Sequence, residues 1–196
     1  MDNQQYQGNL IDSLTATVAR MVPKNSGAIT AYQLGVVNGN LFTDPVAALT
    51  YILAGNAYVT LRSRATGTRY TYRVALAKKT AEQAGLWADE RTDLRRYFVS
   101  LLTGPENMDD YSYIGLVEQA GTNRPTFRLT KKSKMTRDSA PVKAVSWAVE
   151  KLALGVLPDS LEVWHEGRCG RCGRPLTVPE SIAAGIGPEC ASRMGL

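Results

Sequence analysis

An α+β fold, built on an antiparallel sheet of about five strands with packed helices and ending in a small C-terminal module, follows from three features of the sequence. Residues 57–76 alternate apolar and polar side chains on either side of Arg64-Ala65-Thr66-Gly67, the pattern of a hairpin. Residues 141–154 repeat apolar side chains at helical spacing. The three cysteines and the single histidine fall in the last stretch, spaced His165-x3-Cys169-x2-Cys172-x17-Cys190.

The composition bounds the function before any motif does. A chain of 196 residues, 44% hydrophobic, can bury a real core in one or two domains. Its formal charge of +5 is moderately basic and suggests a polyanionic partner. No apolar run approaches the roughly 18 residues of a membrane span. Met1 to Gln7 is polar, so no secretory leader is expected, and an odd number of grouped cysteines points to the cytoplasm. We divide the chain into an N-terminal segment (1–41), an α+β domain (42–157) and a C-terminal module (158–196).

Taken in order, Leu10, Leu14, Val18 and Met21 predict a helix that Pro23 stops. Thr43 or Asp44 can cap a second helix that starts at Pro45, with Val46, Leu49, Thr50 and Leu53 as its apolar face, ending at Gly55. In the hairpin, Val59, Leu61, Tyr70, Tyr72, Val74 and Leu76 share one face. Tyr58, Thr60, Arg62, Arg69, Thr71 and Arg73 share the other. Thr80 to Asp93 reads as an acidic helix anchored by Trp87, followed by strands at 95–102, 111–117 and 126–131. Asp138 or Ser139 caps the clearest helix, which buries Val142, Val145, Val149 and Leu152 and stops at Gly155. Trp147 and Leu154 point the other way, and we expect the C-terminal module to cover them with Trp164 alongside.

Three thiolates and one imidazole are the complement of a closed tetrahedral zinc site. Gly170 and Gly173 suit the tight Cys-x-x-Cys turn, and Arg168, Arg171 and Arg174 favour ionised sulfur. Gly187-Pro188 can open a short helix that presents Cys190 from its first turn. The expected Zn2+ ligands are therefore His165, Cys169, Cys172 and Cys190, in an arrangement that resembles a treble clef with one ligand moved. Histidine is the weakest of the four: Glu166, Glu180 or Glu189 can stand in for it, and water in its place would open the site to catalysis.

The pieces 66–74 (TGTRYTYRV), 98–107 (FVSLLTGPEN), 110–115 (DYSYIG) and 169–190 (CGRCGRPLTVPESIAAGIGPEC) resemble an uncharacterised family of small proteins from bacteriophages and other mobile elements. The resemblance covers about residues 42–193, and the terminal motif is its most specific part. It implies a phage setting, hence the cytoplasm of an infected host, and a zinc-like terminus. It supplies no activity.

An enzyme finds little support, since there is no phosphate-binding Gly-rich loop and no nucleophile elbow. Asp109 and Asp110 are adjacent and would face opposite ways in a strand, which makes a poor carboxylate pair. Between Asn56 and Lys79 there are six basic residues and no acidic one, and a second run, Arg124, Arg128, Lys131, Lys132, Lys134 and Arg137, meets no acid before Asp138. The first expectation is therefore a non-enzymatic phage accessory protein that binds single-stranded DNA or RNA. Arg62, Arg69, Arg73, Arg128, Lys131 and Lys132 would grip phosphates while Tyr58, and Tyr72 with it, stack on bases. The alternative is an inhibitor of a host factor, either a defence system such as CRISPR or a component of transcription.

Overall fold

The computed structural model describes residues 40–77, 94–120 and 124–196, all within one unit spanning Val36–Leu196. The helices expected at 9–21 and 80–93 lie outside the described residues. Six strands form one antiparallel sheet in the order β5-β4-β3-β2-β1-β6: β1 (Asn56–Ser63), β2 (Arg69–Leu76), β3 (Leu94–Leu102), β4 (Tyr111–Ala120), β5 (Thr126–Arg128) and β6 (Leu161–His165). The sequence reading counted five and missed β6, although Leu161, Val163 and His165 are buried and Glu162 and Trp164 are not, the alternation of a half-buried strand. The hairpin forms in the expected register, with Val59 opposite Tyr72, Leu61 opposite Tyr70 and Tyr58 opposite Arg73.

Helix α1 (Pro45–Ile52) starts as its residues dictate. The Asp44 carboxylate accepts the Ala47 N–H at 2.6 Å, and proline occupies the first turn, where its missing N–H costs nothing. Its buried face differs from the expected one: Ala48, Tyr51 and Ile52 go inward while Val46 is exposed. Tyr51 is large enough to set the rotation, and its hydroxyl donates to the Tyr58 carbonyl at 3.0 Å.

Helix α2 (Ala140–Ala153) buries Val142, Val145, Ala148, Val149 and Leu152, the expected stripe with one alanine added. It connects β5 at one edge of the sheet to β6 at the other, so it has to cross the sheet. Fourteen residues span about 21 Å, close to the roughly 24 Å width of six strands. The core between α1, α2 and the sheet contains Tyr72, Val74, Val99, Ile114, Val117 and Val163. Residues 40–42 cover the outer edge of β6: Phe42 N–H donates to Val163 O, and His165 N–H to Asn40 O.

Candidate metal centre and sheet face

Beyond β6 the chain turns at Gly167 (φ +69°) into a small knuckle. Cys169 N–H donates to Arg174 O and Gly173 N–H to Cys169 O, both at 2.9 Å, with Gly173 at φ +75°. Helix α3 (Pro179–Ala184) and Gly185 then lead to helix α4 (Pro188–Met194), whose first turn presents Cys190 as the sequence implied. The ligating atoms of Cys169, Cys172 and Cys190 lie within 4.8 Å of one another, so these three side chains can hold a metal ion. Cys169 and Cys190 are buried and Cys172 is exposed.

The electrostatics of this cluster suit a cation. Burial raises the Cys169 thiol, but backbone N–H groups of Cys172, Gly187 and Arg171 outweigh it and hold the group at about 7. The Gly187 N–H is 3.5 Å from its sulfur. Cys190 goes the other way, to about 11, because burial is reinforced by the two neighbouring sulfurs. Three thiols this close cannot all ionise on their own, and a bound cation removes the conflict.

His165 is not brought into this group. It is buried in β6, with its ring centroid 5.1 Å from that of Phe42 and 5.3 Å from that of Tyr51. Its Nδ1 accepts the Gly167 N–H at 3.1 Å, so one lone pair is already used in fixing the turn into the knuckle. Strand alternation turns this side chain to the core face of the sheet, beside Val163 and Leu161. None of Glu166, Glu180 and Glu189 joins the thiols either, and Glu189 lies 3.8 Å from Arg174 in an exposed pair.

The module packs on α1, not on Trp147 and Leu154 as expected. A Cβ at Gly170 would lie 2.7 Å from the Tyr51 ring, and one at Gly185 (φ +68°) 2.5 Å from it. Only glycine allows this approach. Trp147 and Leu154 remain 39% and 43% exposed, and Trp164 turns to the sheet's polar face, where its Nε1 donates to Glu162.

That polar face gathers the predicted binding residues and then reassigns several of them. Register puts Tyr58, Arg62, Arg69, Arg73 and Arg128 on one side of the sheet. Arg62 is spent on Glu162 at 3.0 Å, and Arg128 Nη2 on Glu118 Oε1 at 2.8 Å. Tyr58 is 8% exposed, with the Arg73 guanidinium 5.6 Å above its ring and the Tyr111 ring edge-on at 5.8 Å. Tyr72 faces the core and donates its hydroxyl to Pro141 O. Arg69, Lys131 and Lys132 are exposed and carry no carboxylate partner among the described residues. The sequence reading did not single out Phe98, 47% exposed, and Tyr113, whose rings meet edge-to-face at 5.9 Å on this same side. Alternation along 95–102 carries the signal, because burying Tyr97 and Val99 turns Phe98 outward.

The molecule is thus of a definite class: an antiparallel α+β domain whose last strand runs into a knuckle of three thiols close enough to hold a metal ion. Residues 161–195 match a family of unknown function, DUF6011, which covers that strand and knuckle but only 35 of the 196 residues. No curated protein and no solved structure matches the chain.

Proposed function

We propose that this is a non-enzymatic accessory protein of a bacteriophage or other mobile element that binds single-stranded nucleic acid on the polar face of its sheet and is held together at its C-terminus by zinc. The observation that carries the reading is the pair of exposed Phe98 and half-buried Tyr113, set on the polar sheet face among arginines. Every base has a π-face, so an aromatic pair of this kind accepts successive bases with little regard to sequence. Phe98 and Tyr113 take the stacking role first assigned to Tyr58, and Arg69, Lys131 and Lys132 supply cations not already neutralised. Zinc is the metal because thiolate-rich sites select soft or borderline cations and a structural role needs no redox chemistry. The fourth position takes water or a donor outside the thiol group.

The test is a double replacement of Phe98 and Tyr113 by alanine. Stacking is worth about 1–3 kcal/mol per base, so affinity for a labelled single strand should fall at least roughly fivefold with the fold intact. Equal affinity would remove the aromatic pair from the binding surface.

A second reading, an inhibitor that docks on a host defence or transcription protein, is favoured by one observation. Trp147 is exposed beside a groove of about 480 Å³ between β5 and α2. Recovery of a host protein that Trp147→Ala no longer captures would support it over strand binding.

A further inference from the structure

Two polar atoms in the hollow of the sheet are buried without a hydrogen-bond partner: Arg73 Nε and the Tyr111 hydroxyl. The hollow itself follows from the ring contact between Tyr58 and Tyr111. Their strands, β1 and β4, are three places apart in the sheet, roughly 14 Å if it were flat, yet the ring centroids are 5.8 Å apart. The sheet curls over its polar side and brings Tyr58, Arg73 and Tyr111 together.

Arg62 and Arg128 are each paired with a glutamate and Arg69 is exposed, whereas the Arg73 side chain has its Nε buried, with no ion pair and no side-chain hydrogen bond among the described residues, and is backed by the Tyr58 ring. Its charge nonetheless acts on Tyr111. Burial pushes that phenol up to about 12, Glu166 and Tyr58 add to the rise, and Arg73 opposes it. Glu166 is thus the acid that acts on Tyr111 among the described residues, yet it forms no pair with Arg73 within 4.0 Å. A buried guanidinium N–H and a buried hydroxyl left without acceptors are costly, and such groups call for a bound water or ion. A guanidinium fork beside a hydroxyl donor, with no carboxylate engaged, matches the several oxygens of one anion.

We propose that Arg73 and Tyr111 form a phosphate site in this hollow, with the Arg73 N–H groups and the Tyr111 hydroxyl donating to phosphate oxygens and Tyr58 holding the guanidinium in place. The phosphate belongs either to a nucleic-acid strand or to a free phosphate compound. Only the first source rests on the function proposed above.

The experiment is calorimetric titration of the full-length, zinc-loaded protein with inorganic phosphate, then with a short single strand with and without a 5′-phosphate. The wild type should bind phosphate saturably. Tyr111→Phe, which keeps the ring against Tyr58, should weaken it roughly tenfold or more, as expected for a hydrogen bond to a charged group. Arg73→Gln should abolish it. If Arg73→Gln fails to fold, Tyr111→Phe still decides. No saturable phosphate binding by the wild type, or equal binding by Tyr111→Phe, overturns the site. Phosphate binding without strand binding would keep the site and reject the strand as its source. Strand binding untouched in Tyr111→Phe, with inorganic phosphate binding still weakened by that change, would likewise keep the site and assign it to a free phosphate compound.

Discussion

A few single side chains hold the molecule's closest contacts, and their neighbours were invisible in the linear sequence. Gly185 combines a positive φ with contact against Tyr51, so Gly185→Ala should cost at least about 1–2 kcal/mol from backbone strain alone, read as a lowered melting temperature. An unchanged melting point would mean the knuckle does not seat on α1. Glu118 is held below the usual carboxylate range, first by its hydrogen bonds from Arg128 and against some burial. A group depressed in this way stabilises the fold above its unfolded value of about 4.3, and the benefit is lost as pH falls through the lower folded value. Glu118→Gln should therefore cost up to about 1 kcal/mol at neutral pH, with the difference from wild type closing in acid. A constant difference across pH would show that packing, not charge, is responsible. The basic runs were legible as charges, but their neutralisation was not, because Glu162 meets Arg62 across 100 positions of sequence.

At the scale of elements, local pattern was most legible where one period dominated. The β1–β2 register and the buried stripe of α2 follow from alternation and from 3.6-residue spacing, since a slip in either would turn apolar side chains to water. The stripe predicts that Leu152→Ala costs about 2–5 kcal/mol in denaturant unfolding, as for other fully buried leucines; a loss near zero would place α2 off the core. Strand β6 was missed because its buried histidine looked like a ligand, when strand alternation and the bond from Gly167 give that side chain other work. The rotation of α1 was misread for a related reason: Tyr51 packs at once against the sheet, Phe42 and the knuckle, and no single helical face on its own reveals three partners.

For the whole molecule, the three thiols were legible from spacing alone, and their meeting is the result of β6, the knuckle and α4 arriving together. Chelation of the metal, or Cys172→Ala, should disorder the C-terminal module at a cost of several kcal/mol, read as early proteolysis after residue 165, because the metal supplies folding energy there. Intact protease resistance without metal would mean the knuckle folds on its own contacts. The hollow of the sheet was not legible, because curl is a property of six strands together and no pair of them specifies it. It buries Tyr58, leaves Phe98 and Tyr113 outside, and thereby moves the expected stacking surface from β1 to β3 and β4.

The most direct measurement is fluorescence anisotropy of the zinc-loaded protein with labelled single- and double-stranded DNA and RNA at two salt concentrations. The account predicts micromolar or tighter binding that prefers single strands, with log affinity falling against log salt by about 0.7 per phosphate contacted. Absence of binding at low salt, or affinity indifferent to salt, would contradict it and leave the sheet face to a protein partner.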